Sequence, residues 1–89
     1  MLIEFDAAKD RANQAKHGIS LAAAEWFEWD CAVFDPDTRF EYAEERFQGL
    51  GLIGNRVHMV VFTVRGDSIR IISLRKANQR EEKRYVDQT

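Results

Sequence analysis

Proline, cysteine and long apolar runs are scarce in this chain, and each scarcity excludes a class of protein. Its 89 residues include one proline and one cysteine. A lone Cys31 permits no internal disulfide framework and no cysteine metal cluster. The longest apolar run, Val57 to Val64, is broken by His58 and is far too short to span a bilayer. The opening residues Met1-Leu2-Ile3-Glu4-Phe5-Asp6 lack the basic region and small-residue cleavage site of a secretion signal. There is no repeat and no low-complexity segment. The acidic group Asp35, Asp37, Glu41, Glu44 and Glu45 lacks calcium-loop spacing, and no ligand cluster has metal spacing. The expectation is a cytoplasmic protein with no membrane contact, no metal and no other cofactor.

Apolar residues make up 45% of the chain and aromatics 11%, enough for one modest core. That supports a single domain over residues 1–89. The net charge of −2 conceals an asymmetry. Residues 1–45 hold four Lys/Arg against eleven Asp/Glu, and residues 46–89 hold nine against four, so the halves carry −7 and +5. Either one half faces a basic partner and the other a polyanion, or the fold interleaves the two.

The local signals order the chain. Leu2 to Phe5 reads as a short strand. Asp6 caps a helix from Ala7 to about His17, which Gly18 stops. Ser20 opens a second helix to about Trp29, crowded with large apolar groups. Ala32 to Phe34 is a short strand before an Asp35-Pro36-Asp37 turn. Glu44 to Ile53 reads as a strand, with Gly49, Gly51 and Gly54 marking a bulge. Arg56 to Val64 and Ile69 to Leu74 form a hairpin about Arg65-Gly66-Asp67-Ser68. Asn78 then caps a basic helix, with Glu81 completing a capping box. This order predicts an α+β domain, with helices gathered on one side of an antiparallel sheet. In the last strand, Arg70, Arg75 and Lys76 sit among sheet-core residues, so they are expected to project toward an anionic group.

Taken in order, these residues resemble the BrnT family of type II toxins. The likeness rests on Phe5-Asp6, Lys16-His17-Gly18-Ile19-Ser20, Asp35-Pro36, Glu44-Glu45-Arg46 and Ile53-Gly54. It is strongest in Val61-Phe62-Thr63 and in Arg70-Ile71-Ile72-Ser73-Leu74-Arg75-Lys76-Ala77, with Glu81 and Tyr85 beyond. The resemblance implies a RelE/ParE-like fold, with two N-terminal helices and a C-terminal helix on the sheet. It implies a metal-independent ribonuclease that arrests translation. It also implies a BrnA-like antitoxin with a ribbon-helix-helix DNA-binding half, and a heterotetramer of paired toxin subunits bridged by an antitoxin dimer. Leu74 stands where the family usually has alanine and is expected to crowd the approach to Arg75.

Metal-free RNA cleavage needs a base for the 2′-OH, cations for the phosphorane and an acid for the 5′-oxygen. His17 is the natural proton carrier, or else a helix-end histidine favoured by the dipole. Glu45 could act as a base or orient a cation, or be a solvated edge carboxylate. Arg46 could hold phosphate, or form a cross-strand ion pair. As neighbours in a strand these two would point to opposite faces. Arg75, on one face with Ser73 and beside Lys76, offers a planar fork suited to phosphate. Its structural alternative is a bridge to Glu81 or Glu82. Lys16, Ser73, Lys76, Arg84 and Tyr85 are the remaining candidates for holding substrate, although Tyr85 could simply pack the last helix down. His58 reads as a packing or strand-end residue. Among Trp26, Phe27 and Trp29 at least one ring should be exposed, and Trp29 with Phe34 is the candidate patch for a partner protein. A catalytically inactive module that only binds its partner as a co-repressor is the alternative function. DNA reading by the last helix is disfavoured, because Glu81 and Glu82 would meet phosphates.

Overall fold

The computed structural model describes residues 2–89. Five strands, Leu2–Phe5 (β1), Val33–Pro36 (β2), Phe47–Ile53 (β3), Arg56–Arg65 (β4) and Ser68–Lys76 (β5), form one sheet in the order β1-β5-β4-β3-β2. Two α-helices, Ala7–His17 (α1) and Gln79–Gln88 (α2), complete the α+β architecture. The β3-β4-β5 meander turns through Gly54-Asn55 and Gly66-Asp67, and the two glycines take φ values of 63° and 57°. Only glycine adopts that left-handed backbone without a Cβ penalty, which fixes both hairpin registers.

The sheet is mixed, contrary to the antiparallel expectation. β1 runs parallel to β5, with Leu2 opposite Ser68 and Phe5 opposite Ile71. A helix follows β1 directly, so the strand joins the sheet through a crossover that no local turn signal announces. The expected second helix is instead two 3₁₀ segments, Leu21–Trp26 and Trp29–Cys31. Leu21, Ala24 and Phe27 recur every third residue and are all buried. A 3₁₀-helix stacks that spacing on one side, whereas an α-helix would rotate it off the core. Asp35 and Pro36 belong to β2 and not to a turn. At the end of an edge strand, proline's missing N–H breaks no ladder. β3 begins at Phe47, which leaves Glu44, Glu45 and Arg46 in the loop before it.

The bulge lies on β5 and not at the β3 glycines. Val61 faces Ser73 but Phe62 faces Ile71, leaving Ile72 as the extra residue. Ile71 and Leu74 therefore both reach the core, although an odd spacing separates them, while Ser73 and Arg75 share the opposite face. One core, under α1 and the 3₁₀ segments, gathers Leu21, Ala24, Phe27, Val60, Phe62, Ile71 and Leu74. The other, on the opposite face under α2 and so contrary to the expected one-sided helices, gathers Leu50, Val57, Met59 and Ala77 with Leu52 and Tyr85. Gly49 and Gly51 are needed because a Cβ there would come within 2.8 Å of Phe34 and 2.6 Å of Phe27. α2 covers only part of its face, and the uncovered part is where the polar side chains converge.

Candidate active site

β1 pairs with β5 only as far as Ile71, so the backbone of Leu74 would be bare at the sheet edge. The buried side chain of Asn13 takes the place of the missing strand. Its Nδ2 donates to the Leu74 carbonyl at 2.8 Å and to the Ile19 carbonyl at 2.9 Å, while its Oδ1 accepts from the Leu74 N–H at 3.2 Å. His17 lies one turn beyond Asn13 on the same side of α1. The anchored helix therefore delivers Lys16 and His17 to the end of β5.

They meet a cleft of about 410 Å³ lined also by Gln48, Val61, Ser73, Arg39, Arg75 and Glu81. Gln48, Val61 and Ser73 are in register across β3, β4 and β5 and form its floor. Arg75 stands at one wall, its guanidinium held end-on by Glu81: Nη1 donates to Oε1 at 2.8 Å and Nη2 to Oε2 at 3.0 Å. Nη1 also reaches the Lys76 carbonyl at 3.3 Å. Among the described residues nothing engages the side-on fork of Nε and the outer Nη2 hydrogen, the geometry that accepts a phosphate in a bidentate way. Glu81 is itself fixed by the capping box, accepting from the Asn78 N–H at 3.0 Å. The Arg75 hydrogen bonds hold the Glu81 carboxyl below its usual range. The expected bridge to Glu81 and the expected open guanidinium are thus both present in one side chain.

His17 is half-buried. Burial chiefly, then the charges of Lys16 and Arg75, lower its pKa below the ordinary imidazole value. A neutral imidazole beside cations can take a proton near neutral pH.

Arg39 was missed by the sequence reading. Its Nε and Nη2 donate to the buried Asp37 at 2.9 Å each, and the Tyr42 hydroxyl donates to the same carboxylate at 3.2 Å. The Arg39 hydrogen bonds, opposed by burial, bring the Asp37 pKa down to about 2. The pair raises Arg39 above the usual arginine value. Asp37-Thr38-Arg39 follows the only proline, and nothing in its local pattern shows that the loop folds over β3 to reach the cleft.

The other predicted residues lie elsewhere. Glu45 is exposed, and its carbonyl accepts from the Thr63 hydroxyl at 2.7 Å. Arg46 lies 4.1 Å over the Tyr42 ring. Both line a separate concavity of about 470 Å³ in the 36–46 loop, away from His17. Their opposite-face placement does not arise, because neither is in a strand. Lys76 is exposed and alternates away from Arg75. Arg84 pairs with Asp35, and Tyr85 packs on the second core. Arg70 answers Glu4 across the parallel pair at 3.5 Å. Leu74 is fully buried on the opposite face, so it cannot crowd Arg75 as expected. His58 is buried, with Nδ1 2.9 Å from the Arg56 carbonyl.

Trp29 and Phe34 stack at 6.1 Å inside a cluster with Phe27 and Phe62. Trp29 donates Nε1–H to the Ala24 carbonyl at 3.0 Å and is half-buried, whereas Trp26 is 72% exposed. The most exposed ring of the three is therefore Trp26. Among the described residues no three His, Cys, Asp or Glu side chains converge as metal ligands. The carboxylates of Asp35, Asp37 and Glu44 are engaged by Arg84, Arg39 and Arg65. No helix is long and apolar enough to cross a membrane.

A family model described as "Ribonuclease toxin, BrnT, of type II toxin-antitoxin system" matches residues 5–81, a span that includes every residue of the cleft. No curated protein matches the chain.

Proposed function

The chain belongs to the BrnT family of ribonuclease toxins of type II toxin–antitoxin systems, and from that premise we propose that the His17–Arg75 cleft is where it cuts RNA without a metal. The reaction is an internal transesterification. His17 takes the proton of the 2′-OH, O2′ bonds to phosphorus, and the P–O5′ bond breaks. The side-on fork of Arg75 holds the phosphate oxygens as charge grows on them. Lys16 supplies the proton to the leaving 5′-oxygen, since an ammonium surrenders a proton more readily than a guanidinium. Ser73, on the floor, positions the ribose. The products are a 2′,3′-cyclic phosphate and a 5′-hydroxyl.

The observation that carries this reading is a neutral-leaning imidazole beside a guanidinium that is anchored on one edge and open on the other. The rest of the proposal extends the family membership. The chain is one toxin domain of RelE/ParE type, acts in the cytoplasm and arrests translation. A BrnA-like antitoxin with a ribbon-helix-helix half covers the cleft in a heterotetramer, and the exposed Trp26 is the better anchor for it than Trp29.

The test is incubation of the purified, antitoxin-free chain with single-stranded RNA in excess EDTA. Cyclic-phosphate ends should appear, and His17→Ala and Arg75→Ala should each slow cleavage about 100-fold or more. Intact RNA with a folded wild-type chain, or cleavage unaffected by either substitution, would overturn the proposal.

A further inference from the structure

We infer that Arg39 is a second phosphate-binding guanidinium of the cleft and that Asp37 is the residue that positions it; this deepens the ribonuclease reading and rests on it. Arg39 reaches the cleft from a loop, where a long cationic side chain would ordinarily sample many rotamers. Here it does not. Its side-on edge, Nε and Nη2, is locked onto the Asp37 carboxylate, whose side chain is fully buried. The Arg39 backbone N–H also points at Asp37 Oδ1, at 3.3 Å. Asp37 is tied down in turn: its N–H donates to the Arg46 carbonyl at 2.7 Å, and Tyr42 donates to its Oδ2. Arg46 then stacks on Tyr42. The 37–46 loop is one hydrogen-bonded unit with a single guanidinium directed to the cleft.

The two arginines are used in complementary ways. Arg75 gives its end-on edge to Glu81 and keeps the side-on fork. Arg39 gives its side-on edge to Asp37, and among the described residues Nη1 has no partner. Each carries one anchoring carboxylate and one open edge, and both line the same cavity with His17. A single phosphate met from two walls by fixed guanidiniums cannot rotate freely, so its reacting face stays presented to His17. The loop carboxylate is too deeply buried to meet the phosphate itself.

The experiment uses the full chain and a single-stranded RNA made non-cleavable by 2′-O-methylation, with affinity measured as a function of salt. Each phosphate contact on a single strand contributes a slope of about 0.7 in log K against log salt. Arg39→Ala should weaken binding roughly tenfold or more and flatten the slope by about 0.7. Arg39→Lys keeps the charge but not the fork, so it should weaken binding with the slope unchanged. Asp37→Asn should also weaken binding. Combined with Arg39→Ala it should add nothing further, because it acts only through Arg39. Should Arg39→Ala match wild type in affinity and slope while Arg75→Ala loses both, the inference is wrong and the cleft stands. Should neither substitution change binding, the ribonuclease reading of the cleft falls with it. Circular dichroism checks that each variant is folded, and if Asp37→Asn is not, the two Arg39 variants alone decide.

Discussion

At the residue scale, chemistry in this protein depends on how each ionisable group is partnered. Arg75 and Arg39 share a device: a carboxylate holds one edge of the guanidinium and leaves the other open. His17 is the opposite case, an imidazole whose pKa is lowered by burial and then by the charges of Lys16 and Arg75. Its lowered pKa keeps the imidazole neutral as pH falls through the ordinary histidine value, and protonation comes only below it. Removing a repelling charge must therefore move the midpoint up. An NMR titration of the His17 ring should show a midpoint below about 6.5, and Lys16→Ala should raise it. A wild-type midpoint at or above that value would show that burial and the two cations do not depress it. The sequence singled out His17 and Arg75 as candidates because their residue types are distinctive and flank strong element signals, and the fold brings both to one cavity. Arg39 was not legible, since its place in the cleft depends on a buried Asp37 whose burial no short pattern encodes.

At the element scale, caps and turns were legible and register was not. Asp6 accepts from the Lys9 N–H at 3.0 Å, Gly18 takes φ 71°, and Asn78 with Glu81 closes a capping box. These are local interactions, and local residues specify them. The β5 bulge and the 3₁₀ segments depend on what lies across the sheet. Asn13 is the clearest example, a helix residue that serves as a strand for Leu74. Replacing it by the similarly shaped leucine would strand the Leu74 N–H and carbonyl away from water. Asn13→Leu is expected to cost about 2–4 kcal/mol in denaturant unfolding. A cost below about 0.5 kcal/mol would show that the amide does not hold the sheet edge.

At the scale of the whole molecule, the fold interleaves part of the charge asymmetry of the sequence. Arg65–Glu44, Arg70–Glu4 and Arg84–Asp35 each join a cation of the second half to an acid of the first. The cleft gathers three cations of its own. Lys16 has no acid partner there among the described residues, and Arg39 and Arg75 keep open edges. On the proposed reading, this is the concavity in which a phosphate would meet fixed guanidinium edges. A toxin organised this way should act when its cleft is uncovered. Expression of the chain alone is expected to arrest growth with loss of RNA, and Arg75→Ala should relieve both. Normal growth of a soluble, folded wild-type chain would favour the pure binding module.

The amino-acid sequence by itself determined the α+β class, both α-helices with their caps, the central hairpin and the residue types able to move a proton or hold a phosphate. Each of these follows from neighbours within a few positions. Tertiary structure alone decided the parallel docking of β1, the face on which Arg75 emerges beyond the bulge, and the burial of Leu74. It also decided that Arg39 and not Arg46 joins His17. Those outcomes depend on contacts between distant segments, where one residue of register moves a side chain to the other face of the sheet.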